Sequence, residues 1–366
     1  MEAVMNIEEI LEIMIEKDAS DVFIRAHSPL KARIYTEVEK IREGNFSVED
    51  VEEIVQEITK GKDRKKPREN LKLIKSCEFT IWHKEFWRFR VGIFYQRNTP
   101  SLVIRKIDLR LTSSTFDELG LPSAVLEKFC KERRGLIILT GVTGCGKSTT
   151  IANMLEYINV NLPRHILTIE APIEFILSDK KAIINQREIG VDVISYKDGL
   201  KQFAVHSPDV LYVGNILDTD TCSAALTAAE TGVLVFSTLH TVNASSTVER
   251  IVNFFPPHQQ HLILDLLSCI LKGVISLRLL PSADGLGLIP AYEVMTLSPS
   301  IARLIRENKL WEIPKYITSG GVYGMKSFHQ CLLGLIEEKK ITPEVALEYA
   351  DKKEELEMEL RNRGLI

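Results

Sequence analysis

The first part of the chain alternates between helical and extended patterns of apolar residues. Apolar residues recur three or four positions apart in residues 7–15 and 48–60, which predicts two amphipathic helices. Residues 22–25 are expected to form a strand. The stretch 79–107 is rich in aromatic and β-branched residues, which indicates two or three strands of an antiparallel sheet. Together these patterns predict a small α+β domain that ends near residue 107.

Beyond this region the pattern changes to short apolar runs separated by loops and helical segments. The runs comprise residues 136–139, 166–169, 210–213 and 234–237. Because they show little polar alternation, they are typical of strands buried on both faces of a parallel sheet that is covered by helices. A turn-rich segment precedes them, and helical patterns dominate the end of the chain. The predicted division is 1–107 for the N-terminal domain, 108–118 for a linker, 119–288 for an α/β core and 289–366 for a C-terminal helical region.

Composition excludes several classes of protein. The 366 residues are 45% hydrophobic and 26% charged, as in ordinary globular domains. The 46 Lys and Arg residues against 50 Asp and Glu residues argue against a protein whose main activity is nucleic-acid binding. No apolar stretch reaches the roughly 18 residues of a membrane helix, and the N-terminus lacks the basic region of a secretory signal. Since the six cysteines form no C-x-x-C pair, we expect a cytoplasmic protein with reduced thiols.

The densest basic run lies at residues 60–75. We interpret this run as a solvated loop between two elements of the first domain. The alternative, a docking or nucleic-acid patch, lacks the interleaved aromatic residues that stack on bases.

Residues 141–148 form a complete G-x-x-x-x-G-K-[ST] motif between an apolar run and a helical pattern. Glycines allow the backbone to approach phosphate oxygens closely, and the amides at a helix N-terminus bind them. Lys147 is predicted to bridge the β- and γ-phosphates, and Ser148 to hold Mg²⁺. The predicted nucleotide-binding residues of this loop are Gly141, Val142, Thr143, Gly144, Cys145, Gly146, Lys147, Ser148 and Thr149.

Hydrolysis of a nucleoside triphosphate also requires acidic groups near the metal and the attacking water. The run 210–213 leads to Asn215, whose amide can neither carry a negative charge nor act as a base. The acidic candidates are Glu170, Glu174 and Asp218. Of these, Glu174 is the preferred functional carboxylate, while Glu170 is also explained as a polar residue at the end of a strand.

These motifs resemble the PilT/PilU-type retraction ATPases of type IV pili, within the secretion ATPase superfamily, and the resemblance covers nearly the whole chain. The segments that carry it are 20–21, 89–91, 94–98, 134–136, the phosphate loop, 166–175, 185–188, 228–232, 237–241 and 324–325. It implies an α/β fold in which a PAS-like α+β N-terminal domain precedes a RecA-like P-loop ATPase domain with C-terminal helices.

The resemblance also implies cofactors, partners and site residues. ATP and Mg²⁺ are the expected ligands, and the expected assembly is a homohexamer or a mixed ring with a paralogous ATPase. This ring would lie at the cytoplasmic face of the bacterial inner membrane, peripheral to it, on a pilus platform protein and without direct nucleic-acid contact. Glu174 and His240 match the catalytic glutamate and the second conserved histidine of the family. Arg88, Arg90 and Arg105 match the N-domain arginines that approach the phosphates.

The chain departs from the family pattern outside the phosphate loop. The residues that replace family acids, arginines or a histidine are Ala171, Val205, Asn215, Leu217 and Val233. Loss of one preorganised charge at a reacting centre typically costs roughly 3–4 kcal/mol, or about 10²–10³ in rate. We therefore expect an ATP-binding family member whose own hydrolysis is weakened or absent.

Three hypotheses follow from these observations. The chain is either a working retraction motor, or a nucleotide-binding accessory subunit that acts with an active paralogue, or another P-loop protein such as a DNA-handling ATPase. The balanced charge and the family motifs weigh against the third. A related secretion or DNA-uptake machine is an alternative to the pilus as the setting of the first two.

Overall fold

The chain folds into two units, which a computed structural model describes for residues 5–35, 37–60, 65–84 and 86–366. The first unit contains the residues up to Leu111 together with Pro172–Ile176, and the second contains Thr112–Ala171 and Leu177–Ile366. The inclusion of Pro172–Ile176 in the first unit was not predicted. Turn-forming composition indicates where a linker runs, but it does not show which unit a distant loop packs against.

The first unit is built on a six-stranded sheet in which every neighbouring pair of strands is antiparallel. Its strands are β1 Asp21–Arg25, β2 Lys31–Ile34, β3 Glu37–Lys40, β4 Ser76–His83, β5 Trp87–Gln96 and β6 Thr99–Asp108. Their order across the sheet is β3-β2-β1-β6-β5-β4. The predicted strand at 22–25 is confirmed as part of β1, and the stretch 79–107 forms β4, β5 and β6.

Helices of the first unit cover one face of this sheet. They are α1 Ile7–Glu16, α2 Val48–Ile58 and α3 Lys65–Leu73. Both predicted amphipathic helices are confirmed, and each begins with a capping box, Asn6 with Glu9 in α1 and Ser47 with Asp50 in α2. Their apolar faces share one core with Phe89 of β5. Because side chains alternate along a strand, the neighbouring residues of β5 point to the opposite face of the sheet.

Helix α3 occupies most of the basic run that we interpreted as a loop. That interpretation is wrong for residues 65–73, while residues 61–64 lie outside the described residues. Lys, Arg, Glu and Leu have favourable helix propensities. Pro67 lies in the first turn, where its missing N–H is not needed.

The second unit is built on a seven-stranded sheet in which β7 to β12 run parallel and β13 pairs antiparallel with β12. Its strands are β7 Gly135–Thr140, β8 His165–Glu170, β9 Ile183–Glu188, β10 Val210–Val213, β11 Leu234–Leu239, β12 Leu271–Pro281 and β13 Leu288–Thr296. Their order is β13-β12-β7-β11-β10-β8-β9. The four predicted runs are confirmed as β7, β8, β10 and β11. Alternate residues of β7 belong to two different apolar cores, so this part of the sheet is buried on both faces.

Helices flank this sheet and continue to the end of the chain. They are α4 Ser123–Lys131, α5 Lys147–Asn161, α6 Tyr196–Lys201, α7 Phe203–His206, α8 Thr219–Glu230, α9 Ala244–Asn253, α10 Pro257–Ile270, α11 Pro299–Arg306, α12 Ile313–Ser319, α13 Phe328–Glu337, α14 Pro343–Tyr349 and α15 Lys353–Asn362. The start of the region assigned to C-terminal helices instead forms β13, because residues 288–296 pair with β12 after a glycine-containing turn. Within the described ranges, no helix has the length and apolar content needed to cross a membrane.

Candidate functional site

The phosphate loop connects the carboxyl end of β7 to the N-terminus of α5. Gly141, Gly144 and Gly146 have φ values of 141°, 82° and 94°, a region that side chains rarely adopt. A Cβ atom on Gly141 would lie 2.4 Å from the carbonyl oxygen of Leu277 in β12. Position 141 therefore requires glycine both for its backbone conformation and for the space around it.

Lys147 is the first residue of α5, and its ammonium group lies inside the loop. The Nζ atom donates to the carbonyl oxygens of Gly141 at 2.7 Å and Val142 at 2.8 Å, and the residue is only 8% exposed. Ser148 and Thr149 follow in the first turn of the helix. The loop amides, the helix N-terminus and this buried cation form a site that favours an anion.

Cys145 lies in the same loop as a buried thiol. Its Sγ atom is 3.8 Å from Nζ of Lys147. Burial raises the pKa of the Cys145 thiol, and the nearby charge of Lys147 offsets this only in part. The side chain is therefore uncharged at neutral pH and contributes packing to the loop.

Two further polar side chains lie at the same edge of the sheet as the phosphate loop. Asn215 follows β10 and His240 follows β11, and Asn215 Nδ2 lies 3.3 Å from His240 Nε2. Burial and the charge of Lys147 lower the pKa of His240, although a hydrogen bond with the backbone of Gly141 acts in the opposite direction. A neutral imidazole at this position can donate one hydrogen bond and accept another without adding repulsion to Lys147.

The side-chain oxygen of Asn215 is available for metal binding. This atom, Oδ1, is buried and has no hydrogen-bond partner among the described residues. An amide oxygen suits Mg²⁺ or one of its waters, and Mg²⁺ commonly takes only one or two protein oxygens besides the phosphates. The hydroxyl of Ser148 and the oxygen of Asn215 therefore fit a nucleotide-bound Mg²⁺, with less negative charge than a carboxylate would supply.

The side chain of Glu170 is buried and hydrogen-bonded, although the sequence explained it as a polar residue at the end of a strand. The residue is 8% exposed, and its Oε1 atom accepts from Thr168 Oγ1 at 2.7 Å and from Gln186 Nε2 at 3.1 Å. The side chains of β8 and β9 thus fix a carboxylate at the carboxyl edge of the sheet. The sequence signal for Gln186 was its place in a segment that carries the family resemblance.

The five residues that were predicted to depart from the family pattern lie at two opposite edges of the sheet. Ala171, Asn215 and Leu217 follow the carboxyl ends of β8 and β10, the edge that carries the phosphate loop. Val233 precedes β11, and its carbonyl oxygen accepts from the amide of Gly135 at the start of β7.

Val205 also lies away from the phosphate loop. It belongs to α7, which precedes the amino end of β10, and it is 85% exposed. The structure therefore does not bring Val205 or Val233 to the phosphate loop, because the amino ends of parallel strands lie at the far edge of the sheet.

The remaining predicted residues lie in the first unit, on the sheet face opposite its helices. Arg90 Nη1 donates to Glu174 Oε1 at 2.9 Å, and Arg90 Nε also donates to Glu78. Arg88 donates to the carbonyl oxygen of Glu174 at 3.3 Å and to Thr80 Oγ1 at 2.5 Å. Burial opposes the charge of Arg90, but the two glutamates outweigh it and raise the pKa of the guanidinium. Two arginines thus hold the predicted catalytic glutamate.

Arg105 extends this charged face across the sheet. It lies directly opposite Arg90 in the β5–β6 register, and its Nε atom donates to Asp21 Oδ1 at 2.8 Å. Asp21 also lies 3.5 Å from Arg33. Like charges opposite each other are destabilising, so the interleaved carboxylates stabilise this row of arginines. The predicted site residues accordingly form two groups, with Lys147 and His240 in the second unit and Glu174 and the arginines in the first.

Comparison with known proteins agrees with this architecture. The family described as Type II/IV secretion system protein matches residues 2–315. The type IV pilus ATPase PilU of Pseudomonas aeruginosa is 36% identical over 357 residues, which cover 98% of this chain and 92% of PilU. The type IV pilus retraction ATPase PilT of the same organism is 37% identical over 346 residues, covering 94% of this chain and 98% of PilT.

A solved structure extends the comparison to three dimensions. A crystal structure of the pilus retraction motor PilT with bound ADP is 38% identical, with a TM-score of 0.81, and covers 97% of this chain and 99% of that chain. The expected fold class is confirmed, a PAS-like α+β N-terminal domain followed by a RecA-like ATPase domain with C-terminal helices. The chain belongs to the family of type II/IV secretion system proteins.

Proposed function

We propose that this chain is an ATP-binding motor-family subunit of a type IV pilus machine, of the retraction type that powers pilus disassembly and twitching motility. The observation that carries the proposal is an intact phosphate loop with a buried Lys147 in a chain 37% identical to PilT over 346 residues. Membership of this family implies ATP hydrolysis, and the related PilT structure contains ADP.

The assembly that we propose is a ring. A homohexamer, or a mixed ring with a paralogous ATPase, would act at the cytoplasmic face of the inner membrane on a pilus platform protein. The resemblance to PilT and PilU supports this assembly, and the balanced formal charge of −4 gives no support to direct nucleic-acid binding.

In the proposed mechanism, the chain's own residues bind and orient the nucleotide. The loop amides and Lys147 would hold the β- and γ-phosphates. Ser148 and Asn215 would supply oxygens to Mg²⁺, which would neutralise phosphate charge. The family resemblance assigns the catalytic carboxylate to Glu174. Neutral His240 accepts from the amide of Asn215 through Nε2 and so fixes the orientation of that amide. The family resemblance assigns Arg88, Arg90 and Arg105 to phosphate binding, and a planar guanidinium can bind phosphate oxygens as it binds the carboxylates of this face.

We further propose that hydrolysis by this chain is weakened. Three of the departures, Ala171, Asn215 and Leu217, lie at the edge of the sheet that carries the phosphate loop. Loss of one such charge typically costs roughly 3–4 kcal/mol, and several losses are not additive. Because the phosphate loop is intact while Asn215 is neutral, a nucleotide-binding accessory subunit that works with an active paralogue is the second candidate.

Measurement of ATP turnover and nucleotide affinity tests both candidates. We expect slow turnover in the native protein and a gain in Asn215→Glu, with Asn215→Gln as the control of equal length and no charge. Lys147→Ala should lower nucleotide affinity by about 10- to 100-fold, since it removes charge-assisted hydrogen bonds. Turnover at a motor's ordinary speed that Lys147→Ala abolishes would contradict weakened hydrolysis. Failure of the native protein to bind nucleotide with Mg²⁺ would contradict the proposed function itself.

A further inference from the structure

A buried carboxylate lies outside the groups assigned to nucleotide chemistry. Glu293 is in β13, is 7% exposed, and its Oε1 atom accepts from the amide of Ala244 at 2.8 Å. Ala244 is the first residue of α9, whose N-cap Asn243 already satisfies the amide of Ser246. Glu293 therefore joins the edge of the sheet to the N-terminus of α9, where a negative charge is favourable.

The N-terminus of α9 is connected to the phosphate loop through a short segment. Residues 241–243 separate His240 from Ala244. In this segment the amide of Thr241 donates to Thr140 Oγ1 at 2.9 Å, and Thr140 Oγ1 lies 2.7 Å from the carbonyl oxygen of Thr241. The hydroxyl of Thr241 lies 2.7 Å from that of Thr247 in α9. Thr140 immediately precedes Gly141, so the loop and the helix share one hydroxyl network.

Strand register provides a second connection between Glu293 and the phosphate loop. Ser276 of β12 lies opposite Thr140 of β7 on one side and opposite Glu293 of β13 on the other. The three side chains therefore share one face of the sheet. Ser276 Oγ is fully buried and has no hydrogen-bond partner in the described part of the chain. A buried polar row thus runs from Glu293 to the residue before the phosphate loop.

Few charged groups act on Glu293. Burial raises the pKa of its carboxyl to about 7, Asp351 acts in the same direction, and the Ala244 amide and Arg278 act against it. Arg278 of β12 itself donates to the carbonyl oxygen of Tyr349 and to Asp351, each at 2.5 Å. The ionised carboxylate is therefore stabilised by the helix N-terminus and by one partly engaged arginine.

We propose that ionised Glu293 is a positioning residue for nucleotide binding, which holds the His240–Asn243 segment against the phosphate loop through the N-terminus of α9. The inference rests on the proposed nucleotide-binding function. The proposed role requires no contact between Glu293 and the nucleotide. The charge of Glu293 acts through α9 and Thr241 on the position of His240 and Gly141.

The experiment compares nucleotide affinity across pH in full-length variants. A fluorescent ADP analogue with Mg²⁺ is titrated into the native protein, Glu293→Gln and Glu249→Gln between about pH 6 and about pH 8. Glu293→Gln keeps an oxygen for the Ala244 amide but removes the charge. Glu249→Gln removes the same charge from an exposed position of α9. Because the ligand phosphate also titrates here, the measured quantity is the affinity of the native protein divided by that of each variant.

The expected result is a ratio that depends on pH for only one variant. With a pKa of about 7, the ionised fraction rises from about one tenth to about nine tenths over this range. The ratio for Glu293→Gln should therefore rise by about threefold to tenfold, while the ratio for Glu249→Gln stays constant. If Glu293→Gln does not fold, Glu293→Asp replaces it, and its charge should preserve the pH-dependent step of the native protein.

Other outcomes would overturn the proposal. A ratio for Glu293→Gln that differs from one by the same factor at every pH would show a packing role alone. A ratio of one throughout would show no role. Both results require that the native protein binds the ADP analogue and that Lys147→Ala binds it about 10- to 100-fold more weakly. They therefore leave the proposed function standing and are distinguishable from its failure.

Discussion

Glu293 also makes a prediction about the stability of the second unit that needs no nucleotide. Its carboxyl has a pKa near 7 in the folded chain, against an ordinary value of 4.5, because burial disfavours the charged form. Between these two pKa values, the folded chain therefore holds a proton on Glu293 that the unfolded chain has lost. The contribution of Glu293 to stability is fully present below its unfolded pKa and is lost as the pH rises through the folded value.

The size of the effect follows from the two pKa values. Between about pH 5 and about pH 8, the linkage relation gives a loss of roughly 2–3 kcal/mol for the native protein. Glu293→Gln cannot titrate, so its stability relative to the native protein should improve by that amount over the same range. For a unit of this size, the change corresponds to a shift of roughly 5–10 °C in the melting temperature.

Scanning calorimetry is the suitable assay, since it measures the melting temperature of each variant directly. The exposed Glu249 of α9 again supplies the control, and Glu249→Gln should follow the native protein at every pH. A constant difference in melting temperature between Glu293→Gln and the native protein across pH would refute the assignment of a titrating carboxylate. A difference that grew toward low pH would refute its sign.

Two further predictions concern positions that the structure constrains strongly. Gly141→Ala places a Cβ atom 2.4 Å from the carbonyl oxygen of Leu277, at a position where φ is 141°. The substitution should lower the free energy of unfolding by at least ~1–3 kcal/mol, as measured by thermal melting. It should also abolish binding of the ADP analogue. Asp21→Asn removes the carboxylate that Arg105 and Arg33 share. This change should destabilise the first unit by ~1–3 kcal/mol, as measured by denaturant unfolding. Unchanged stability would show that the two ion pairs contribute nothing.

The phosphate loop could be predicted from the sequence because its parts are contiguous. The glycines, Lys147 and the flanking strand and helix all follow from the motif and its local context. The same patterns also predict at which edge of the sheet each residue lies that was predicted to depart from the family pattern. Val233 precedes a predicted strand while Asn215 follows one, and parallel strands place these two ends at opposite edges of the sheet. The end of the strand at which each residue lies therefore decides whether it can reach the phosphate loop.

Other features of the candidate site depend on contacts that no local pattern carries. Glu293 is a single acidic residue in β13, within the region 289–366 that was predicted to be helical. Its partners come from α9, β12 and a segment near residue 351, which only the fold brings together. The attachment of Glu174 to Arg88 and Arg90 likewise depends on a loop that joins the first unit from a distant part of the sequence. Tertiary contacts of this kind leave no period or spacing in the chain.

The two effects expected of Glu293 have opposite signs, and this makes them separable. Ionisation costs the fold stability as the pH rises, because the charge is buried, but it strengthens nucleotide binding, because the charge holds the N-terminus of α9. A residue that merely filled space would, when replaced, change both quantities in the same direction at every pH. Linkage adds a constraint, since a nucleotide that favours the ionised form must lower the pKa of Glu293 in the bound state. Nucleotide binding would then supply part of the free energy that the buried charge costs, so the protein would be most sensitive to this carboxylate when the phosphate loop is empty.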